Sequence, residues 1–241
     1  MSMDWRFKPA RDLGLPLADQ LRSAGREPGL AGMAVNRAWS GCVRGYLAAF
    51  HQFAITGREQ LPAEPPFVLV ANHGGHLDAL ALAAAVPRRL SHRVHSLAAG
   101  EVFFRSLPVA AFASAAINAL PVWREHTSAE DLAFLRRRLV EDRLVFILFP
   151  EGTRSRDGTM ARFRPGVGAL VAGSAVPVVP CFLEGSHAAW PPGRSLPRPG
   201  RVGLRIGPPL AFEAVPNERA GWLEVAAASE AAVRGLADSA P

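Results

Sequence analysis

The segment VANHGGHLDAL places His73 five residues before Asp78, directly after the apolar run Phe67–Asn72. On one continuous α-helix a five-residue step turns about 500° and rises about 7.5 Å, so the two side chains would diverge and can meet only where a turn intervenes. Gly74 and Gly75 are expected to supply that turn, leaving the strand through conformations closed to other residues, with a helix starting near His76 or Leu77. Asp78 then lies in the first helical turn, where the macrodipole favours a carboxylate. There it can hydrogen-bond one imidazole nitrogen of His73 while the other faces a crevice. Such a pair is the general-base half of a catalytic triad without its nucleophile, which a substrate hydroxyl must then provide.

A second constellation, FPEGTRS at Phe149–Ser155, follows the most β-prone stretch of the chain, Arg143–Pro150. Glu151, Gly152, Thr153 and Arg154, with Arg156, Arg162 and Arg164 close behind, combine a glycine turn, a hydroxyl and several cations. That combination suits an anion, and Glu151 is expected to pair with an arginine and hold it in place. In open α/β sheets ligands collect beyond the carboxyl ends of the strands, where this loop and HGGHLD would both sit.

The elements that must position these residues alternate. FVLVAN, VHSLAA, AINALPVW, RLVFILFP, VPVVPCFL and RVGLRIG read as strands. LDALALAAAV and Thr127–Asp142 read as helices, the latter opened by a Thr127/Glu130 capping signature, and further helices are expected near Glu101 and Gly166. The uncharged run Ser106–Trp123 is interrupted by Pro108, Asn118 and Pro121 and reads as a buried helix followed by a strand rather than a membrane span. The pattern predicts an α/β fold, an αβ sandwich with a mostly parallel central sheet. Residues 1–62 form an N-terminal arm with an amphipathic helix, and residues 63–241 form the catalytic domain. In that helix Trp39, Val43, Tyr46, Leu47, Phe50 and Ala54 make one aromatic stripe, which either packs on the domain or lies in a membrane interface.

Composition excludes several classes. The chain has 241 residues, 49% of them hydrophobic and 20% charged, too apolar for disorder. Its two cysteines and lack of an apolar leader predict a reduced, non-exported protein without a disulfide framework or a four-cysteine zinc site. The net charge of +6 suits anionic lipid surfaces or acidic cofactors, and every cation but Lys8 is arginine. No nucleic-acid partner is expected, since the arginines are dispersed and no aromatic residues interleave with them. His73, His76 and Asp78 could in principle be metal ligands, but no third well-spaced histidine or HExxH accompanies them, and no metal is expected. No serine has the GxSxG flanks of a serine hydrolase.

NHGGHLD, followed downstream by FPEGTRS, FRPG and VPVVP, resembles the glycerolipid acyltransferase family, best known from the bacterial 1-acylglycerol-3-phosphate acyltransferases. The resemblance runs over roughly Phe67–Leu210. It implies that His73 is the general base and Asp78 its orienter. It also implies that Arg124 in NALPVWR helps bind the acceptor, and that Glu151, Gly152, Thr153 and Arg154 bind the acceptor's phosphate. The implied reaction moves an acyl group from acyl-CoA or acyl carrier protein to a lysophospholipid, most simply lysophosphatidate, with no cofactor. The expected setting is the cytoplasm, peripheral on an anionic membrane at the inner face of the cell membrane. Two departures bear on the acceptor: AAGEVF at Ala98–Phe103 lacks the lysine many members carry there, and Asn118 and Pro121 replace the usual glycine and apolar residue. A phosphate-free acceptor, such as an aminolipid, glycolipid or secondary metabolite, and a non-catalytic lipid-binding role on the same fold are the alternatives.

Overall fold

The computed structural model describes residues 9–123 and 128–238. The elements run α1 (Leu17–Arg22), α2 (Leu30–His51), β1 (Ala54–Thr56), β2 (Phe67–Ala71), α3 (Asp78–Ala85), β3 (Val94–Ala99), α4 (Gly100–Phe103) and α5 (Leu107–Ala116). They continue with β4 (Leu120–Val122), α6 (Ala129–Glu141), β5 (Val145–Leu148), α7 (Gly166–Val171), β6 (Val178–Glu184), α8 (Ser186–Ala189), β7 (Gly203–Ile206) and α9 (Arg219–Asp238). The seven strands form one sheet in the order β1-β7-β6-β2-β5-β3-β4. All neighbours pair in parallel except β6 with β7.

The central strand β2 is buried at every residue, as a parallel strand covered on both faces must be. Its alternation divides the core. Phe67, Leu69 and Ala71 pack with Val43 and Leu47 of α2 and Ala81 and Leu82 of α3. Val68 and Val70 face Leu135 and Leu139 of α6, Leu170 of α7 and Val225 of α9. Helices therefore cover both faces, which is the sandwich the strand-helix alternation predicts.

Several local expectations change. The stripe on α2 belongs to the core: Val43 and Leu47 are buried, Trp39 and Tyr46 pack against the same cluster, and only Phe50 turns outward. The helix stops at His51 with Gln52 in the left-handed conformation, so Ala54 lies not in the helix but at the start of β1. That strand, within the N-terminal 62 residues, is an edge of the same sheet. Helix α6 is capped by Ser128, whose hydroxyl accepts from Asp131 N–H while the Asp131 carboxylate accepts from Ser128 N–H; the expected cap Thr127 lies outside the described residues. Helix α5 is only half buried. Ala110 and Ala113 face inward, whereas Leu107, Val109 and Phe112 are exposed.

Candidate active site

β2, β5 and β6 lie side by side, and their carboxyl ends carry the two motifs and the start of α8 to one edge of the sheet. Beyond Ala71, the last ladder residue of β2, the Asn72 side chain continues the pairing. Its amide donates to Leu183 O at 2.8 Å and its carbonyl accepts from Leu183 N–H at 2.7 Å, so the chain leaves β2 on a fixed course. His73 follows at once.

His73 Nδ1 lies 2.8 Å from Asp78 Oδ2. Asp78 is the first residue of α3 and fully buried, and the same oxygen accepts Gly75 N–H at 2.9 Å. A carboxylate only accepts, so Nδ1 carries the proton and Nε2 keeps its lone pair. The His73 ring lies flat on Phe149, with centroids 3.9 Å apart and planes 12° apart, and about a fifth of its side chain is exposed. The strand-turn-helix course predicted for HGGHLD is present, but the reason for its glycines differs. Neither Gly74 nor Gly75 has a positive φ. A Cβ on Gly75 would lie 2.5 Å from Ser186 O, and one on Gly74 3.2 Å from the His187 side chain, so the requirement is close approach to α8. Because Gly75 N–H is committed to Asp78, it also drops out of the backbone donors available to a reacting carbonyl.

Glu151 corrects a second expectation: it makes no ion pair with an arginine among the described residues. Its almost fully buried carboxylate accepts His73 N–H at 2.7 Å through Oε1 and Ala161 N–H at 2.8 Å through Oε2. Burial raises its pKa, and these two backbone donors oppose the rise. Ser155 N–H returns to His73 O at 2.7 Å, so the loop after β5 grips the His73 backbone from both sides. Gly152 occupies a left-handed turn at φ 77°, and a Cβ there would lie 3.0 Å from Arg164 Nε. Thr153 is exposed, and Arg154 is half-buried with Nη1 against the His76 ring. Arg124 lies outside the described residues. The structure thus brings His73, Asp78, Glu151 and Arg154 to one edge. It adds Asn72, Phe149, His76 and Trp190, of which the first three stand within the two motifs and only Trp190 had no signal in the sequence.

The sequence profile of the acyltransferase family matches residues 52–184. A Bacillus subtilis 1-acyl-sn-glycerol-3-phosphate acyltransferase is 30% identical over 156 residues, covering 65% of this chain and 72% of that protein. A Chlamydomonas reinhardtii protein of the same description is 30% identical over 86% of this chain and 58% of its own length. A Limnanthes douglasii relative is 42% identical over 74 residues, 31% of this chain and 26% of its own. The chain thus spans well under two thirds of several plant and algal relatives. The crystal structure of the 1-acyl-sn-glycerophosphate acyltransferase of Thermotoga maritima superposes with a TM-score of 0.64 at 23% identity, covering 86% of this chain and 78% of that one, and so shares the fold.

Proposed function

The chain belongs to the acyltransferase family, and from that premise we propose that it moves a fatty acyl group from acyl-CoA or acyl carrier protein to the hydroxyl of lysophosphatidate, giving phosphatidate. The observation that carries this reading is the His73–Asp78 pair at 2.8 Å, with Nε2 at the strand edge and without a hydrogen-bond partner among the described residues. His73 Nε2 takes the acceptor hydroxyl proton as the oxygen attacks the thioester carbonyl. Asp78 holds the tautomer and stabilises the imidazolium that forms. When the tetrahedral intermediate collapses, the C–S bond breaks and the imidazolium returns its proton to the leaving thiolate. No resident metal or prosthetic group enters this scheme. Arg154, and Arg124 with it, are assigned to the acceptor's anionic headgroup.

One feature favours a second reading, transfer to a phosphate-free acceptor. AAGEVF carries no cation at the end of β3, and the Trp123 ring lies so close over Gly100 that a Cβ there would stand 2.5 Å from it. The deciding experiment offers lysophosphatidate, other lysophospholipids and a lyso-aminolipid with an acyl-CoA and an acyl carrier protein donor. The proposal expects transfer to lysophosphatidate that falls by about 10²-fold or more in His73→Ala. Robust transfer to phosphate-free acceptors alone would replace it with the second reading.

The membrane contact proposed with this activity shifts away from the aromatic stripe of α2. Among the described residues no helix is long and apolar enough to cross a membrane. Exposed apolar side chains instead cluster on α4, α5 and the start of α2, and they support peripheral attachment to a membrane, which this reading places at the inner face of the cell membrane.

A further inference from the structure

Three segments converge on His76: its own turn after β2, the loop after β5 that carries Arg154, and the segment after α8 that carries Trp190. His76 N–H donates to Trp190 O at 3.0 Å, and the two rings lie 4.9 Å apart between centroids, inclined by 39°. On the imidazole, Arg154 Nη1 stands 2.6 Å from Nδ1 and 2.8 Å from Nε2. An in-plane hydrogen bond to either nitrogen would leave the other much farther away, so near-equal distances put Nη1 over the ring face. The His76 ring is therefore touched by both neighbours, Trp190 at a tilt and Arg154 through Nη1.

We propose that His76 is a positioning residue for the acceptor: its uncharged ring, backed by Trp190, is the platform that holds Arg154 toward the anionic headgroup, and protonation of His76 withdraws that arginine. This rests on the reading of Arg154 as the headgroup ligand. The ring's charge decides the matter, because a guanidinium stays protonated at any working pH and an imidazolium beneath it would be a like charge at contact. Burial, Arg154 from the loop after β5 and His73 from the same turn all disfavour the charged ring, and Asp78 at the start of α3 favours it; the balance lies below the ordinary histidine value. His187, from α8, turns its ring to the Arg156 carbonyl instead. At neutral pH and above the platform is uncharged and Arg154 stays seated.

Phenylalanine keeps a flat uncharged ring that cannot be protonated, and alanine removes the platform. The test measures the KM for lysophosphatidate at pH 8 and pH 5.5, with saturating acyl-CoA, in wild type, His76→Phe, His76→Ala and Arg154→Ala. Titration of the lipid phosphate is common to wild type and His76→Phe, so the difference between their pH profiles reports the ring at position 76. The wild-type KM should rise on acidification beyond that of His76→Phe, the gap widening as the pH falls further below the ordinary histidine range, and His76→Ala should raise KM about fivefold at both pH values. Superimposable profiles for wild type and His76→Phe, with Arg154→Ala raising KM, would overturn the platform while sparing the headgroup reading. An unchanged KM in Arg154→Ala would overturn both. A second readout needs no folded aromatic variant: the imidazole NMR titration of His76, assigned by the loss of its signal in either His76 variant that folds, should move to higher pH in Arg154→Ala. An unmoved midpoint would also overturn the proposal.

Discussion

Asp78 concentrates its work in one atom. Oδ2 takes both His73 Nδ1–H and Gly75 N–H, while Oδ1 is buried without a hydrogen-bond partner among the described residues. In Asp78→Asn the amide group must either occupy the partnerless position or turn toward His73, where it would donate to Nδ1 and select the wrong tautomer. Turnover should fall by about 10²–10⁴-fold with the protein still folded, as steady-state rates beside a circular dichroism spectrum would show. Glu151→Gln tests the neighbouring strut. Its two oxygens face two N–H donors, and an amide can accept only one of them, so stability should drop by about 1–3 kcal/mol in chemical denaturation, with kcat reduced as the His73 backbone loosens. Equal stability and rate would mean the strut is dispensable. HGGHLD and EGTR were legible as chemistry because few structural roles demand those residue types together. The partners of Glu151 and Arg154 were not, because spacing along the chain does not say which of several arms at a sheet edge will meet.

Among the elements, α6 shows how the N-terminal segment is fixed to the sandwich. Asp142, which caps the end of α6, accepts from Arg11 through both oxygens at 2.7 Å and from Arg138 Nε at 2.9 Å, and Arg138 is almost entirely buried. Burial would raise the Asp142 pKa, but the hydrogen bonds from Arg11 and Arg138 outweigh it and the net shift is downward. A carboxylate whose folded pKa is depressed contributes stability above its unfolded value near 4, and that contribution is lost as pH falls through the lower folded value. Asp142→Ala leaves Arg138 buried without its carboxylate and should cost about 2–4 kcal/mol at pH 7. The loss should shrink as the solution is acidified through the carboxylate range, a trend that urea melts at several pH values would follow. A loss that does not change with pH would point to packing instead. Strands β2, β5 and β6 were visible as apolar runs because both of their faces are covered. The last helix, α9, was not anticipated: its buried positions Val225, Ala226, Ser229 and Val233 are mostly small, and alanine-rich sequence carries little contrast between its faces.

At the scale of the whole molecule, the apolar residues left outside the core are not scattered evenly. Leu30 and Val35 at the start of α2, Val102 on α4, and Leu107, Val109 and Phe112 on α5 are all exposed. The two long segments touch through an edge-on contact of Trp39 with Phe112 at 6.2 Å. α4 follows the carboxyl end of β3, so one end of this patch begins on the edge of the sheet where His73 emerges, and a lipid acceptor resting in a bilayer would have a short path to His73. Exposed Arg37 and Arg105 stand beside it, and the chain carries a net charge of +6. Apolar burial in the headgroup region and attraction of about 1 kcal/mol per arginine near an anionic surface would act together, the second part fading with salt. Wild type should float with anionic liposomes at low salt and less completely at high salt. The double variant Leu107→Asp, Val109→Asp alters two exposed positions, where substitutions usually change stability by no more than about 0.5 kcal/mol, yet it should lose most of its flotation. Its transfer to a bilayer-borne lysophosphatidate should fall by more than its transfer to a short-chain, water-soluble analogue. Equal flotation of the two proteins would remove α5 from the membrane contact, and the apolar residues at the start of α2 would be the next surface to test.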